Sequence, residues 1–298
     1  MANLCNLDGL IAPESETVVP VLDRGFLFGD SVYEVIRTLG GAPFAWEEHL
    51  DRLWQSAAGI RMRLDLDRRT VVKRIADTLA RAGNDESYIR IVVSRGAGSA
   101  PNIDLSHAPA KPCWLVMVRA LAPIDGVPVH LARVEGAPVV AQPFDPAVKS
   151  GNYLNNVLGL AEARDRGATD CLFLNAEGHV TEASTSNVFA VVRGTLCTPP
   201  LDSGILAGVT RALLLEWCRE QGIPVAERNL TAGEFAAADE AFLSSTLRSV
   251  SPVLSLDGKP FGNGTEGALT QRIRRGFDAW CRDTALPRHQ RALQALLA

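Results

Sequence analysis

Val148-Lys149-Ser150-Gly151-Asn152-Tyr153-Leu154-Asn155-Asn156 sets one long amine in a run of small and amide residues. The chain has only four lysines, Lys73, Lys111, Lys149 and Lys259. Three have ordinary settings: Lys73 on an amphipathic helical pattern, Lys111 before a proline, and Lys259 in the turn Asp257-Gly258-Lys259-Pro260. A desolvated lysine is a nucleophile that forms a Schiff base with an aldehyde cofactor. A solvated lysine where a loop enters a helix has the same local sequence, so the assignment rests on the company Lys149 keeps.

Upstream, Ser31–Thr38 alternates polar and apolar residues as a strand with two usable faces. Gly40-Gly41-Ala42-Pro43 is a turn, Trp46–Arg61 is helical with Leu50, Leu53 and Ala57 on one face, and Arg69–Ala82 repeats that pattern. Tyr88–Val93 and Cys113–Val118 are strand-like, separated by a Gly/Pro/Ser-rich loop over Gly96–Pro112. Leu121–Pro128 has the composition of an interdomain linker. Beyond it the pattern predicts a strand at Val129–Val134, a helix near Asn155–Gly167 and paired strands at Asp170–Leu174 and Val188–Val192. It then predicts a helix over Val209–Gln221, a strand at Ala241–Leu243 and a helix over Glu266–Arg282. The tail Leu286–Ala298 reads as an appended helix. This alternation predicts two α/β or α+β domains with a cleft between them.

With 298 residues, formal charge −4 and mean hydropathy +0.06, the chain suits one large or two modest soluble domains. Its slight acidity argues against nucleic acid or an anionic membrane as partner. No apolar run approaches a bilayer span, and Met1–Leu10 lacks a signal-peptide pattern. The six cysteines are scattered without a Cys-x-x-Cys pair, as expected of buried thiols in a reducing cytoplasm. The five histidines show no metal-ligand spacing, so no metal site is expected.

Four further stretches suit a phosphorylated cofactor. Gly204-Ile205-Leu206-Ala207-Gly208-Val209-Thr210-Arg211 leads into an apolar helical run, placing backbone N–H groups and a hydroxyl at a helix N-terminus. Arg52, on a core-facing helical turn, suits bidentate phosphate binding. Thr246 ends an apolar strand with a hydroxyl. Glu182, in Gly178–Asn187, is a carboxylate able to keep a pyridine nitrogen protonated, which makes the ring an electron sink. Each has a plainer alternative: an N-cap, a solvated arginine, a Ser/Thr turn and a hairpin glutamate.

In order and spacing these stretches resemble the fold-type IV pyridoxal-phosphate enzymes, the class-IV aminotransferases. The landmarks are Gly29–Arg37, His49–Leu53, Lys149–Asn156, Gly178–Phe189, Gly204–Arg211 and Ser245–Pro252. The resemblance implies a small N-terminal α/β domain (residues 1–120), the linker 121–128, and a larger C-terminal domain (129–298) with a barrel-like sheet, the cofactor lying in the cleft. It implies that Lys149 holds pyridoxal 5'-phosphate as a Schiff base and shuttles the substrate proton. Glu182 would face the pyridinium nitrogen, and Arg52, Val209, Thr210 and Thr246 would bind the phosphate. Tyr153 would lie near the phenolic oxygen and Leu206 against one ring face. Tyr33, Arg37, Tyr88, Arg90 and Leu247 would meet the substrate, the Ser245–Leu247 turn through backbone donors. The family also implies a homodimer, with the loops Leu22–Phe28 and Gly96–Pro112 reaching the partner's site.

Within the family, Tyr88-Ile89-Arg90, Arg37 and the double asparagine Asn155-Asn156 resemble the branched-chain amino acid enzymes. There the tyrosine helps hold the α-carboxylate and the arginine meets a second carboxylate. Val35 departs from the glycine usual at that position and is more like the D-amino acid enzymes. Ser94-Arg95-Gly96-Ala97-Gly98 lacks the Arg-x-His pair of the D-enzymes, leaving Arg90 or Arg24 to substitute. Transamination of a small aliphatic amino acid is expected, with 2-oxoglutarate or pyruvate as acceptor and branched-chain L-substrates first. D-amino acid transamination comes next, then aminodeoxychorismate lyase and (R)-amine transaminase chemistry.

Overall fold

Glu34 is a lone acid in an otherwise apolar row. In the strand Ser31–Leu39, side chains alternate: Tyr33, Val35 and Arg37 share one face, Val32, Glu34 and Ile36 the other. The structure is a computed structural model that describes residues 2–122, 126–134 and 148–298. Its contacts divide the chain into two units.

The first unit holds a six-stranded antiparallel sheet, in the order β2-β1-β6-β5-β3-β4. The strands are β1 (Leu4–Leu7), β2 (Leu10–Pro13), β3 (Ser31–Leu39), β4 (Ala42–Pro43), β5 (Ser87–Ser94) and β6 (Cys113–Ala120). A short helix α1 (Arg24–Phe28) precedes β3 and is capped by Asp23, whose carboxylate accepts from the Gly25 and Phe26 amides. Helices α2 (Trp46–Gly59) and α3 (Arg68–Ala82) join the core formed by Val32, Ile36, Leu50, Leu53, Ile75 and Ile89. The expected apolar face of α2 is therefore buried. Gly96–Pro112 is a long loop carrying one short turn of helix, Leu105–His107.

The second unit is built on a closed barrel. Its strands are β7 (Val129–Arg133), β8 (Asp170–Leu174), β9 (Val180–Ala183), β10 (Asn187–Val192), β13 (Glu240–Ser245) and β14 (Ser249–Leu256). They pair in the order β10-β13-β14-β7-β8-β9, and β9 returns to β10. β11 (Thr195–Thr198) and β12 (Val225–Glu227) extend the sheet from β10, and β15 (Lys259–Pro260) pairs with β14. Among the described residues this unit also has the helices α4 (Leu154–Asp165), α5 (Val209–Glu220), α6 (Ala232–Ala236) and α7 (Ala268–Trp280). The expected pairing of Asp170–Leu174 with Val188–Val192 is corrected: β9 lies between them and pairs with both. β9 is four residues long, too short for its alternation to stand out beside the Ser/Thr run that follows.

The expected ranges, 1–120 and 129–298, differ from the division by contacts at two places. Val148–Asn152 and Arg282–Ala298 group with the first unit. The cause at the first place is hydrogen bonding along β3: the Tyr33 N–H donates to the Lys149 carbonyl (3.0 Å) and the Gly151 N–H to the Ser31 carbonyl (2.9 Å). At the second, helix α8 (Leu286–Leu297) lays Ala292, Leu293, Leu296 and Leu297 on the first unit's core. Of the expected linker 121–128, residues 123–125 lie outside the described residues. None of the six cysteines is in a disulfide; five are buried and Cys113 is half-buried. No helix among the described residues is long and apolar enough to cross a membrane.

Candidate active site

In the first unit the candidates gather on one face of β3 and β5. The register sets Arg37 opposite Tyr88 and Val35 opposite Arg90. The Arg90 guanidinium lies over the Tyr33 ring at 4.1 Å from its centroid, and Nη1 is 3.5 Å from the Tyr88 hydroxyl. The Lys149 amine lies 4.5 Å from the same ring centroid. Lys149 is fixed at its backbone, where its N–H donates to Ser56 Oγ on α2 (3.0 Å). Its half-buried amine is thus delivered beside Tyr33 by strand-like pairing with β3.

Arg52 is reached from the other face of the strand. Its Nε and Nη2 donate to the two Glu34 carboxylate oxygens at 2.6 and 2.8 Å, and His49 Nδ1 lies 2.7 Å from Glu34 Oε2. All three side chains are buried. Burial alone would raise the Glu34 carboxyl, but the Arg52 charge and hydrogen bonds, with His49, reverse this and hold it at about 2. His49 is pushed below its ordinary value by burial, with Arg52 and Lys149 adding to the effect and Glu34 opposing it. Glu34 and His49 are absent from the expected site; the parity of β3, which puts a carboxylate among core residues, is the signal that reveals them.

Arg24, one of the two arginines open to substitute as a carboxylate ligand, is engaged elsewhere. Its Nε bonds Asp30 at 3.0 Å, while Nη1 and Nη2 donate to the carbonyls of Asn102 (2.6 Å) and Ile103 (2.8 Å). It is 2% exposed and fastens the Gly96–Pro112 loop to α1. Arg95 is also committed to Asp30 (2.7 Å) and to the Ile60 carbonyl (2.8 Å). Arg90, by contrast, has no carboxylate partner among the described residues.

The second unit gathers the others. Glu182 on β9 accepts from the Leu206 N–H at 3.2 Å. Leu206 lies three residues before α5, which begins at Val209 and Thr210 behind Gly208, with no side-chain cap and no acid in its first turn. Thr246 and Leu247 form the turn between β13 and β14. Its exit is held by Ser249, whose φ is +54° and whose hydroxyl donates to Asp278 (2.5 Å). Arg248 pairs with Asp170 at 3.2 Å. Tyr153 sits half-buried at the start of α4. Ser244 Oγ is buried and has no hydrogen-bond partner among the described residues.

Each unit by itself has chemistry that fits a phosphorylated pyridine aldehyde: the Lys149 amine in the first, and in the second the Glu182 carboxylate, hydroxyls and the α5 N-terminus, which has no side-chain cap. Among the described residues no cluster of three or more His, Cys, Asp or Glu side chains is placed to hold a metal ion.

The family model for amino-transferase class IV matches residues 31–256. The chain belongs to this family of pyridoxal-phosphate-dependent aminotransferases. It is 34% identical over 277 residues to a Methanocaldococcus jannaschii protein provisionally named a branched-chain-amino-acid aminotransferase, covering 91% of this chain and 94% of that one. It is 30% identical to a D-alanine aminotransferase of Bacillus licheniformis, covering 90% and 93%. Its structure is similar to that of the branched-chain aminotransferase of Thermoproteus uzoniensis with norvaline, with TM-score 0.86, 31% identity and coverage of 95% and 97%.

Proposed function

We propose that this aminotransferase acts on branched-chain L-amino acids with 2-oxoglutarate as amino acceptor. One observation carries the reading: Arg90 is stacked on Tyr33 beside the Tyr88 hydroxyl, with no carboxylate partner among the described residues. A half-buried guanidinium held flat by a ring is preorganised for a carboxylate that arrives with the substrate. Glutamate and 2-oxoglutarate carry that second carboxylate; pyruvate does not. The commitment of Arg24 to Asp30 and the loop carbonyls leaves Arg90 as the arginine that the D-amino acid reading would also call on. Val35, half-buried opposite Arg90, favours that second reading, as does the D-alanine relative.

When bound, pyridoxal phosphate supplies an aldehyde and an electron-accepting ring that ease ionisation of an amino acid's α-hydrogen. Lys149 would provide the amine that anchors it and would then carry that proton. Glu182 would hold a proton at the ring nitrogen by opposite charge. Leu206 would cover a ring face, and Tyr153 would donate to the phenolic oxygen. The N–H groups of Val209 and Thr210, with Thr246 and Arg52, would bind the phosphate. Tyr33, Arg37, Tyr88 and the Leu247 turn orient the substrate.

The same reading includes a homodimer. The first unit exposes Val18, Val19, Val21, Phe26, Ile103 and Leu105, and α4 of the second exposes Leu154, Val157 and Leu158. Cysteines in no disulfide suit a cytoplasmic setting.

The test is the visible spectrum of the holoenzyme with L-valine and, separately, D-alanine. Bleaching by L-valine is expected; bleaching by D-alanine alone overturns the L-reading. Arg90→Met is expected to raise KM for 2-oxoglutarate about ten- to a hundredfold, the cost of a lost charge-assisted pair. The reaction with L-valine should change only a few-fold. An unchanged KM for 2-oxoglutarate defeats the acceptor assignment.

A further inference from the structure

Asn187 is not among the expected site residues, yet it touches the element that presents three of them. It opens β10, is 6% exposed, and is the register partner of Glu182 on β9. Its Nδ2 donates to the Leu206 carbonyl at 3.0 Å, while the Leu206 N–H donates to Glu182 Oε2 at 3.2 Å. Both backbone polar groups of Leu206 are therefore held by side chains of two paired residues. A loop residue without ladder partners is seldom pinned at both ends, and each bond here is made in a partly buried setting where a lost partner is costly.

The same side chain controls Gly208. A Cβ at Gly208 would overlap Asn187 Oδ1, so the close approach of this glycine to β10 depends on the space Asn187 occupies. Gly208 has φ −69°, an ordinary value for any residue, so its backbone conformation does not demand glycine. The residue is small because Asn187 is there. Gly208 is also the N-cap of α5. One amide side chain thus bonds the Leu206 peptide and lies close against Gly208, two residues on, beside the strand pair that carries Glu182.

We infer that Asn187 is a positioning residue of the cofactor cradle, setting the register between the Glu182 carboxylate, the Leu206 side chain and the N-terminus of α5. The inference rests on the reading of these three as contacts to the pyridine nitrogen, the ring face and the phosphate. Asn187 acts through the Leu206 peptide and Gly208. With the Nδ2 bond lost, the Leu206 peptide keeps the Glu182 bond at its N–H but loses the one at its carbonyl, and the carboxylate orientation loosens with it. Cofactor affinity and cofactor colour should then change together.

The experiment uses the full chain stripped of cofactor and titrated with pyridoxal 5'-phosphate, reading the dissociation constant and the position of the visible band. Asn187→Ala is expected to weaken binding about ten- to a hundredfold, as for a buried carbonyl deprived of its donor, and to move the band. Gly208→Ala strains the same contact from the other side and should weaken binding comparably. In the Asn187→Ala background, Gly208→Ala should add little, because the obstructing oxygen is gone. A merely structural role would lower the melting temperature without moving the band or coupling the two sites. Binding by Asn187→Ala within twofold of the parent, an unmoved band, or additive effects of the two substitutions overturns the inference. Glu182→Gln separates the two levels. If it moves the band and Asn187→Ala does not, the role of Asn187 fails alone. If Glu182→Gln leaves the band in place, the cradle reading beneath it fails, and the inference with it.

Discussion

Glu34 shows why a buried charge is placed where a plain core residue would pack more easily. It accepts from Arg52 at two points and meets His49, so the guanidinium is oriented before any anion arrives. Its folded carboxyl is held at about 2, below its ordinary 4.5. A depressed carboxylate contributes stability that is complete above pH 4.5 and is lost as the pH falls towards 2. His49, also depressed, has the same sign, its contribution beginning to fall as the pH drops through its ordinary 6.5. Glu34→Gln keeps the shape but leaves the Arg52 charge buried without its carboxylate. The expected loss is about 3–5 kcal/mol at neutral pH, with a shallower fall in stability between pH 4.5 and 2. Denaturant unfolding across that range checks both; a loss under about 1 kcal/mol would mean that water already screens the pair. Lys149 and Glu182 stand out in the sequence by residue type and neighbours. Glu34 and Asn187 do not, because their significance lies in partners distant in sequence: Arg52 across the core for Glu34, and the Leu206 loop for Asn187.

Elements with a full period of apolar residues, such as β3, α2, α3 and α5, were legible close to their observed bounds. Short strands were not: β1, β2 and β9 have four residues each and are defined by their partners more than by their own pattern. The tail is intermediate. Its stripe of His289, Ala292, Leu293, Leu296 and Leu297 has helical spacing, legible as a helix, but what it covers is settled by packing. Trp46 Nε1 donates to the His289 carbonyl at 3.2 Å, and the His289 ring meets Phe44 edge-on with centroids 5.2 Å apart. Removing residues 286–298 uncovers the first unit's core at α3 and β4. Three half-buried leucines, at roughly half the 1.5–3 kcal/mol of a fully buried one, make the expected loss about 3 kcal/mol. Thermal unfolding of the truncated chain measures it, and an unchanged midpoint would show that α8 adds nothing to the first unit's stability.

At the scale of the molecule, the chain enters the first unit three times, and its central visit, Val148–Asn152, carries Lys149, the lysine proposed to form the Schiff base. A linear division at the linker misses this because five residues are too few to show a domain's composition, whereas their backbone bonds to β3 are unambiguous. Each unit exposes apolar side chains that bear on assembly. Val18, Val21, Phe26 and Ile103 are each more than 70% exposed, and Arg24 ties the α1 segment to the loop holding Ile103. On α4, Leu154, Val157 and Leu158 follow the i, i+3, i+4 spacing of a buried stripe yet face solvent. Both features suit a surface covered by a second copy. Sedimentation of the active enzyme is expected to give a dimer, and Val157→Glu with Leu158→Glu should shift it towards monomer by burying like charges at the interface. The tail and the Glu34 cluster lie in the first unit, so a monomer produced this way should retain that unit's fold by circular dichroism. An active parent that sediments only as monomer would refute the assembly and leave the α4 stripe to another partner.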